Sequence, residues 1–305
     1  MSYFLYGYNG LGNIGDDLMY LSLINSLPND ALKFSNDKQY EMPGGIRCRG
    51  FNLLGRIIFS DVFMIIGGNV FSYERKKSYL KLLFFVVVFA VRKISGKKNE
   101  IDSVGLDLKE GKFWRAIVLV CLSFVNEISL RDKLSYRYSR RYLKLNKISL
   151  KFDRVFRESK FIKGLTCEAL AGNMDNAHKF HCDIIWWVSA PAYKKSKRTE
   201  LLPNDLSKYK SECKGKMVVF FCQGEEDMSR ADLIIANLNL ENFKVFNYNF
   251  DNLNESLLYM WNAKKVITER YHGAVLAEVF DTKWASVSFT EKLSRVKPDF
   301  NKVLL

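Results

Sequence analysis

Short apolar segments alternate with amphipathic, helix-like segments along this chain, and the alternation occurs twice. In the first half, strands are predicted at residues 3–8, 63–66 and 127–130, with amphipathic helices between them and a helix from residue 133 to about residue 143 after the last. In the second half, the pattern starts again at residue 217 and continues to residue 289. Strands separated by helices in this way form parallel sheets that helices cover on both faces. The sequence therefore predicts an α/β fold with two doubly wound domains.

A polar stretch between the two halves indicates where one domain ends and the next begins. Residues 190–215 contain two prolines and the basic run LysLysSerLysArg. A chain of 305 residues is also long enough for two domains rather than one. We therefore predict a Rossmann-like N-terminal domain at residues 1–190, a linker at 191–215 and a C-terminal domain at 216–305, with a cleft between the domains.

The apolar segments do not predict a targeting or membrane-spanning element. The N-terminus, MSYFLYGYNG, has no basic residue before its apolar run, unlike a signal peptide. The longest apolar run, residues 82–91, is ten residues long, whereas a membrane span takes about 20. A buried core element is the first interpretation of this run, and membrane-surface contact is the alternative because basic residues flank it. The expected location is cytoplasmic.

Cysteine and histidine usage gives no reason to expect a metal. The six cysteines have no CxxC spacing and several lie in apolar stretches, which is typical of reduced core thiols. The segment HisLysPheHisCys at residues 178–182 offers three ligand types, but no second cluster accompanies it. We expect a protein without a structural metal and without disulfides.

The charge of the chain favours an anionic partner. Lys and Arg number 47 against 33 Asp and Glu, a formal charge of +14. Twelve of the cations lie within residues 131–163, where a solvated helix face is the ordinary interpretation. The sharper alternative is peripheral contact with an anionic membrane surface, at the inner face of the membrane, or with an anionic glycan. No nucleic-acid-binding motif is present, so a nucleic-acid partner is not expected.

The first strand runs into a glycine-rich turn. Residues 10–15, GLGNIG, match GxGxxG between a predicted strand and a predicted helix, as in dinucleotide-binding loops. Asp16 and Asp17 follow at once and place two negative charges where a pyrophosphate would bind. We therefore favour a loop that lines a cleft, with Asn13 and the two acids facing a sugar hydroxyl. A tight turn with helix-capping acids remains the structural alternative.

Two further strand-to-helix turns carry polar or flexible residues. Gly68 and Asn69 follow the strand at residues 63–66, at the carboxyl end where open α/β sheets bind ligands. Arg270 and His272 follow a predicted strand at residues 265–268 and directly precede a helix. A guanidinium, an imidazole and helix amides at one point form an efficient anion site.

Five segments, in chain order, resemble the polysaccharide pyruvyltransferase family. They are YGYNGLGNIGD at residues 6–16, GGN at 67–69, ISLRDKLS at 128–135, RYHG at 270–273 and FTEKL at 289–293. They are similar to the family's Gly-Tyr-x-Gly-x-x-Asn-x-Gly-Asp, Gly-Gly-Gly, Arg-Asp-x-x-Ser, Arg-Leu-His-Gly and Tyr-Asp-x-Lys-Val segments. No single segment is specific, but the five together cover nearly the whole chain.

The resemblance implies a glycosyltransferase-B-like fold and an activity. The protein would move a pyruvyl group from phosphoenolpyruvate to a sugar of a bacterial capsule, exopolysaccharide or lipopolysaccharide, or to its lipid-linked precursor. Phosphoenolpyruvate would be the donor substrate, with no further cofactor. The implied phosphoenolpyruvate ligands are Arg131, Arg270, Tyr271, His272 and Lys292.

Roles within this site follow from residue chemistry. His272 is the candidate proton donor, because imidazole titrates near neutral pH, and a plain hydrogen bond to phosphate is its alternative role. Arg131, Arg270 and Lys292 would stabilise the leaving phosphate, and Asp16 or Asp17 would orient or deprotonate the acceptor. The residues expected on the acceptor side are Asn13, Asp16, Asp17, Gly68 and Asn69.

A second class of enzyme fits the same architecture. A nucleotide-sugar-dependent glycosyltransferase would use arginine and lysine side chains against a diphosphate. The pattern of strands and helices does not separate the two activities, but their preferred ligands differ.

Overall fold

The computed structural model describes residues 1–35, 43–68, 70–71, 77–106, 111–143, 147–173, 178–189 and 203–287. These residues fall into two compact units. The first unit contains Met1–Leu11 and Asp16–Arg157, and the second contains Gly12–Gly15 and Glu158–Leu305.

The first unit is built on a seven-stranded parallel sheet with the strand order β3-β2-β1-β4-β5-β6-β7. Its strands are β1 (Ser2–Tyr6), β2 (Leu32–Ser35), β3 (Ile46–Arg47), β4 (Val62–Ile66), β5 (Lys98–Val104), β6 (Glu127–Leu130) and β7 (Ile148–Leu150). Its helices are α1 (Ile14–Ser26), α2 (Gly50–Phe59), α3 (Lys77–Ile94), α4 (Lys112–Ser123), α5 (Lys133–Leu143) and α6 (Arg154–Arg157). The first two residues of α1 belong to the second unit.

The second unit is built on a five-stranded parallel sheet with the strand order β10-β9-β8-β11-β12. Its strands are β8 (Ile184–Trp187), β9 (Val218–Cys222), β10 (Phe243–Asn247), β11 (Lys265–Thr268) and β12 (Lys283–Ser286). Its helices are α7 (Ser159–Ala171), α8 (Pro203–Cys213), α9 (Glu225–Leu238), α10 (Leu253–Asn262) and α11 (Tyr271–Val279).

Both sheets are wound in the same way. Each starts at an inner strand (β1 or β8), adds two strands on one side, and then returns to add the rest on the other side. The winding therefore reverses between β1 and β4 in the first sheet and between β8 and β11 in the second. At such a reversal the two connecting segments diverge and leave a crevice beyond the carboxyl ends of the strands, where α/β proteins bind ligands.

Aromatic side chains fill the core of the first unit. The β4 segment VFMII is fully buried, and Phe63 on this strand packs against Phe4, Phe85 and Phe89 with ring centroids 5.5–6.5 Å apart. Helix α3 buries Leu82, Phe85 and Phe89, three positions that share one helical face. The sheet thus holds α3 through one face of that helix.

A buried arginine lies at the edge of this core. The guanidinium of Arg92 on α3 donates to the backbone carbonyls of Ile57, Ser60 and Lys98 and to the side chain of Asn99. Burial lowers the pKa of Arg92 to about 10. The guanidinium nevertheless donates to backbone carbonyls at the end of α2, where the last carbonyls of a helix have no N–H donor within the helix.

The position of the domain division differs from the sequence prediction. We predicted an N-terminal domain at residues 1–190, yet the division falls between Arg157 and Glu158, and β8 lies at the centre of the second sheet. β8 is only four residues long, and both its sheet partners come later in the chain, so nothing local marks its membership. Of the predicted linker at 191–215, residues 203–213 form α8 and residues 191–202 lie outside the described residues.

The strand–helix alternation itself is confirmed, and two parallel sheets carry it. The predicted strands at 127–130 and 265–268 coincide with β6 and β11, and the predicted helix at 133–143 coincides with α5. Among the described residues, no helix is both long enough and apolar enough to cross a membrane.

Candidate active site

The glycine-rich turn follows β1, next to the reversal of the first sheet. Gly10 and Gly12 have φ angles of +69° and +74°, a left-handed conformation that favours glycine. Asp17 is fully buried, and its Oδ1 accepts a hydrogen bond of 2.7 Å from the backbone N–H of Gly10. The carboxylate of Asp17 therefore holds the turn in place, which is the structural alternative given above for these acids.

Asp16 and Gly68 lie close together in the first unit. Gly68 has a φ of +66°, and a Cβ atom built there would lie 3.7 Å from Oδ1 of Asp16 and 2.8 Å from the ring of Tyr8. Asp16 is buried, with 7% of its surface exposed. The structure thus brings together two of the residues predicted on the acceptor side, while Asn69 lies outside the described residues.

Asn13 and Gly15 belong to the second unit, and Gly15 lies beside His272 there. The side-chain oxygen of Asn13 accepts a 3.2 Å hydrogen bond from the backbone N–H of Gly15. A Cβ atom at residue 15 would lie 2.1 Å from Cγ and Nδ1 of His272, so the imidazole rests against the backbone of a residue that must be glycine. The last glycine of the motif therefore makes room for the histidine.

The turn from β11 to α11 presents Arg270 beside the reversal of the second sheet. Arg270 has extended backbone angles (φ −115°, ψ 145°), and α11 begins at the next residue. Its Nε donates to the carbonyl of Val188 at 2.8 Å, and its Nη2 donates to Oδ2 of Asp227 at 2.6 Å. The guanidinium is therefore fixed between the carboxyl end of β8 and the start of α9.

Neighbouring charges form a second, buried pair. Arg230 donates to both carboxylate oxygens of Glu269, at 2.9 and 3.2 Å, and the backbone N–H of Ser189 donates to the same group. Burial raises the pKa of Glu269 above its ordinary value, although Arg230 and these hydrogen bonds act against that rise. Glu269 is thus a partner of Arg230, whereas the partner of Arg270 is Asp227.

Close packing fixes the first turn of α11. A Cβ atom at Gly273 would lie 2.3 Å from Oγ1 of Thr268 and 2.8 Å from the ring of Trp187. Glycine at this position lets the helix start directly over the end of the sheet. His272 is 9% exposed, and the ring of Tyr271 lies against it in an edge-on arrangement with centroids 5.5 Å apart.

Arg131 occupies the carboxyl end of β6 in the first unit. It is 9% exposed, and its Nη1 lies 3.7 Å from Oδ2 of Asp153. The next residue, Asp132, caps α5 by accepting bonds of 2.8 and 2.7 Å from the backbone and hydroxyl of Ser135, and that hydroxyl also accepts from Leu106. The Arg-Asp-x-x-Ser segment therefore combines a buried cation with a helix cap.

A polar network that the sequence analysis missed centres on Asp102. Its two carboxylate oxygens accept bonds from Arg154 at 2.5 Å and Arg157 at 2.6 Å, and Ser129 donates to it at 2.6 Å. Burial raises the pKa of Asp102, but the attraction of Arg157 and Arg154 outweighs burial and brings the pKa below its usual value. Arg154 also reaches α1, where it donates to Ser22.

A cleft of about 580 Å³ lies over this network on the first sheet. Glu100 and Glu127 line it as register partners on neighbouring strands. Burial, followed by repulsion from Glu127, raises the pKa of Glu100. Three consecutive residues of each strand line the cleft, 100–102 of β5 and 127–129 of β6, and Ile101 and Ile128 also belong to the aromatic core.

Some predicted site features can be placed only partly. Lys292 lies outside the described residues. Within the described ranges, no three His, Cys, Asp or Glu side chains are grouped so that they could hold a metal ion. In the second unit, Arg270, Tyr271 and His272 lie at the start of α11, and Asn13 bonds to Gly15, whose backbone contacts His272. The partner that orients Arg270, Asp227, lies 43 residues earlier in the chain and no motif marks it.

Comparison with known proteins adds the fold type. No protein-family model and no curated protein sequence matches the chain. The chain superposes on UDP-GlcNAc 2-epimerase from Neisseria meningitidis bound to UDP-GlcNAc with a TM-score of 0.54 and 9% identity, covering 99% of this chain and 91% of that one. For the Methanocaldococcus jannaschii epimerase in complex with UDP-GlcNAc and UDP, the TM-score is 0.59 at 10% identity, with 94% and 83% covered.

A third solved structure extends the likeness beyond epimerases. The wall teichoic acid polymerase TagF matches with a TM-score of 0.52 and 9% identity, over 93% of this chain and 69% of that one. At these identities the likeness defines the fold alone. The chain has the glycosyltransferase-B-like fold with two Rossmann-like domains, as the sequence predicted.

Proposed function

We propose that this chain transfers the pyruvyl group of phosphoenolpyruvate to a sugar of a bacterial surface polysaccharide or its lipid-linked precursor, forming a ketal and releasing phosphate. The motif order along the chain supports the proposal. The observation that carries it is the Arg270–Gly273 turn, where a fixed guanidinium, a buried imidazole and the first amides of α11 occupy one end of the sheet.

The turn suits a small, highly charged anion. Phosphoenolpyruvate carries a phosphate and a carboxylate, about three negative charges near neutral pH, and arginine binds such groups through paired N–H donors. The N-terminus of a helix attracts an oxyanion, because its first N–H groups point out of the helix and the helix dipole is positive there. Asp227 holds Arg270 in one orientation, which lowers the entropy lost when the anion binds.

The chemistry requires a proton at carbon and a stabilised leaving phosphate. Protonation of the methylene carbon gives an oxocarbenium-like centre, and a sugar hydroxyl attacks it and loses its own proton. The carbon–oxygen bond to phosphate then breaks, the phosphate leaves with the electron pair, and a second hydroxyl closes the ketal and releases a proton. We assign the proton donation to His272 and the stabilisation of the phosphate to Arg270.

The resemblance adds further roles to this proposal. Arg131 and Lys292 would supply the remaining positive charge for phosphoenolpyruvate. Asp16 would orient or deprotonate the acceptor hydroxyl, and its closeness to the Gly68 backbone supports a position at the end of β4. Tyr271, whose ring lies against His272, would limit the rotation of the imidazole.

A nucleotide-sugar-dependent glycosyltransferase is the second candidate, and one finding favours it. Two of the structures that share this fold are bound to UDP-GlcNAc. A diphosphate would meet the same helix N-terminus and the same guanidinium as phosphoenolpyruvate. The two candidates therefore differ in the ligand and not in the polar groups of the second unit.

Ligand-dependent thermal shift and phosphate release separate the candidates. We expect phosphoenolpyruvate to raise Tm and UDP or UDP-GlcNAc to leave it unchanged, and phosphate to be released when an acceptor glycan is added. His272→Gln should lower the release rate about 100-fold or more, the range of general acid–base catalysis. His181→Gln is the matched control, because His181 lies at the surface of the same unit.

Each result bears on one candidate. A shift with UDP-GlcNAc and none with phosphoenolpyruvate would replace pyruvyl transfer by glycosyl transfer. A folded His272→Gln protein that releases phosphate at the wild-type rate would remove His272 from the mechanism. Near-ultraviolet circular dichroism of the variant confirms that the fold is intact.

A further inference from the structure

The helices on one side of the first sheet form a continuous outer layer. α2, α3, α4 and α5 pack side by side in that order and bury their inner faces in the aromatic core. We call their outer surface the outer helix layer. It is built within the first unit alone and includes none of the residues assigned to the proposed reaction.

α3 is apolar on its outer face as well as its inner face. Leu80, Val87 and Ile94 follow one another at seven-residue intervals and are 70%, 61% and 87% exposed. Leu83, Phe84 and Val91 are also exposed and lie between them on the same stripe. The stripe runs from Leu80 to Ile94, about 21 Å along the helix. Soluble helices usually place polar residues on the face that meets water.

The neighbouring helices extend this apolar surface. Phe51 and Phe59 on α2 are 93% and 75% exposed, and Phe113 and Val120 on α4 are also exposed. Apolar residues scattered singly on a surface are ordinary, but a contiguous patch of this kind marks an interaction site.

The charges of the same layer have one sign. The four described helices α2 to α5 contain eleven Lys and Arg residues and no Asp or Glu. These residues are Arg56, Lys77, Lys81, Arg92, Lys93, Lys112, Arg115, Lys133, Arg137, Arg140 and Arg141. Arg92 is buried, whereas Arg56, Lys93, Lys112 and the three arginines at the end of α5 are exposed.

We propose that the outer helix layer docks on an anionic lipid bilayer. Its apolar stripe would lie at the boundary between headgroups and acyl chains, and its cations would contact lipid phosphates, as in amphipathic helices that lie in the plane of a membrane. Charge complementarity selects this occupant. A second copy of the same layer would place cations against cations, whereas an anionic bilayer offers opposite charge beside an apolar interior.

The proposed membrane-contacting surface differs from the basic segment that the sequence predicted. The sequence pointed to residues 131–163 as a basic surface. Arg131 and Arg154 are buried, and Arg157 pairs with Asp102 inside the unit. Of the exposed cations in that segment, Arg137, Arg140 and Arg141 lie on α5, whereas Lys151 and Lys160 lie outside the outer helix layer. The apolar part of the surface comes from α2, α3 and α4.

The test is flotation of the full chain with lipid vesicles at low and high salt. We expect binding to vesicles of phosphatidylglycerol and phosphatidylcholine to exceed binding to phosphatidylcholine alone by at least about tenfold. Replacing Leu80, Val87 and Val91 together by Gln should lower the partition coefficient about tenfold or more. Glutamine has a good helix propensity, so α3 should persist.

Matched controls lie in the second unit. Leu233→Gln removes a leucine of similar exposure, 62%, from α9 and should leave binding unchanged. Replacing Arg137, Arg140 and Arg141 by Gln should weaken binding and reduce its salt dependence. The same loss of charge at the exposed Lys208, Lys210 and Lys214 should have a much smaller effect.

Three results would overturn the proposal. One is binding that is equal for neutral and anionic vesicles. Another is no vesicle binding together with a dimer that the α3 variant dissociates, which would identify a second copy as the occupant. The third is specific binding of an acidic protein to the outer helix layer, together with no binding of the chain to lipid vesicles. None of these results depends on whether phosphoenolpyruvate is the substrate, because vesicle binding is measured without any reaction.

Discussion

The two units of this protein share one winding of their sheets but distribute charge in opposite ways. In the first unit, the charged residues of the outer helices α2 to α5 are all basic, and arginines hold the buried carboxylate of Asp102. In the second unit, α9 begins with the acidic residues Glu225, Glu226 and Asp227, and buried carboxylates hold arginines.

The difference shows what each set of charges does. In the second unit, Asp227 and Glu269 orient Arg270 and Arg230 at the carboxyl end of the sheet, where a ligand would bind. In the first unit, Arg154 and Arg157 converge on Asp102 and tie α6 to the middle of the sheet. An arginine–carboxylate pair therefore positions the candidate site in the second unit, whereas in the first unit the same type of pair holds a helix to the sheet.

The largest effect is expected from Arg154→Met in the first unit. It leaves Asp102 buried with one partner fewer, and breaking such a pair costs about 3–5 kcal/mol. Arg230→Met in the second unit should cost less, about 1–3 kcal/mol, because Glu269 already has a raised pKa and can take up a proton. Urea unfolding followed by hydrogen exchange and mass spectrometry resolves the two units. Equal losses in both variants would show that the two pairs serve the same purpose.

An intermediate effect is expected where a helix is tightly packed. Gly273→Ala should destabilise the second unit by about 1–3 kcal/mol, because its Cβ would meet Thr268 and Trp187. The control is Gly55→Ala on α2, where no heavy atom lies within 4 Å of the added carbon, and it should stabilise the first unit by about 0.5–1 kcal/mol. Thermal unfolding by calorimetry measures both changes. A stable Gly273→Ala protein would mean that α11 can move away from the sheet.

The smallest effect is a pH dependence of opposite sign in the two units. The pKa of Asp102 is lowered in the folded state, so its contribution is present above the unfolded value of about 3.9 and is lost as pH falls through the folded pKa. The pKa of Glu269 is raised, so its contribution is present at low pH and is lost as pH rises from about 4.3 through the folded pKa.

Two variants isolate these contributions. The stability difference between wild type and Asp102→Asn should shrink as pH falls below about 4. The stability of wild type relative to Glu269→Gln should instead fall as pH rises above about 4.3. Urea titrations at several pH values give both curves, and slopes of the same sign would contradict the assigned pKa directions.

Much of the fold could be predicted from the sequence, because period and length distinguish strands from helices. The segments at 127–130, 133–143 and 265–268 were placed from local patterns alone. β8 and β7 were not predicted, since four or three residues carry too little periodicity. Their place depends on partners elsewhere in the sheet, as when β8 pairs with β9 and β11.

The candidate site was predictable to the extent that motifs mark it. Arg270 and His272 stand in a recognisable turn, but Asp227, which orients Arg270, lies 43 residues earlier in the first turn of α9. Asp102 illustrates the same difficulty, because its partners follow by 52 and 55 residues. Pairing at such distances is set by the three-dimensional fold and leaves no local signal.

The apolar run at 82–91 is the clearest case of a half-correct expectation. A buried core element was the first interpretation, and Leu82, Phe85, Val88 and Phe89 are indeed buried. Leu83, Phe84, Val87 and Val91 of the same run are exposed, which an unbroken series of apolar residues could not reveal.

The position of Arg154 and Arg157 at the end of the first unit sets an order on its synthesis. Strands β1 to β7 have all been synthesised by Leu150, yet until α6 follows, no arginine from that helix reaches the carboxylate of Asp102. A nascent chain that stops at residue 150 would thus hold a complete sheet around an uncompensated buried charge. The last four residues of the first unit therefore complete its buried ion pairs, so that this unit can become stable before the second unit has been synthesised.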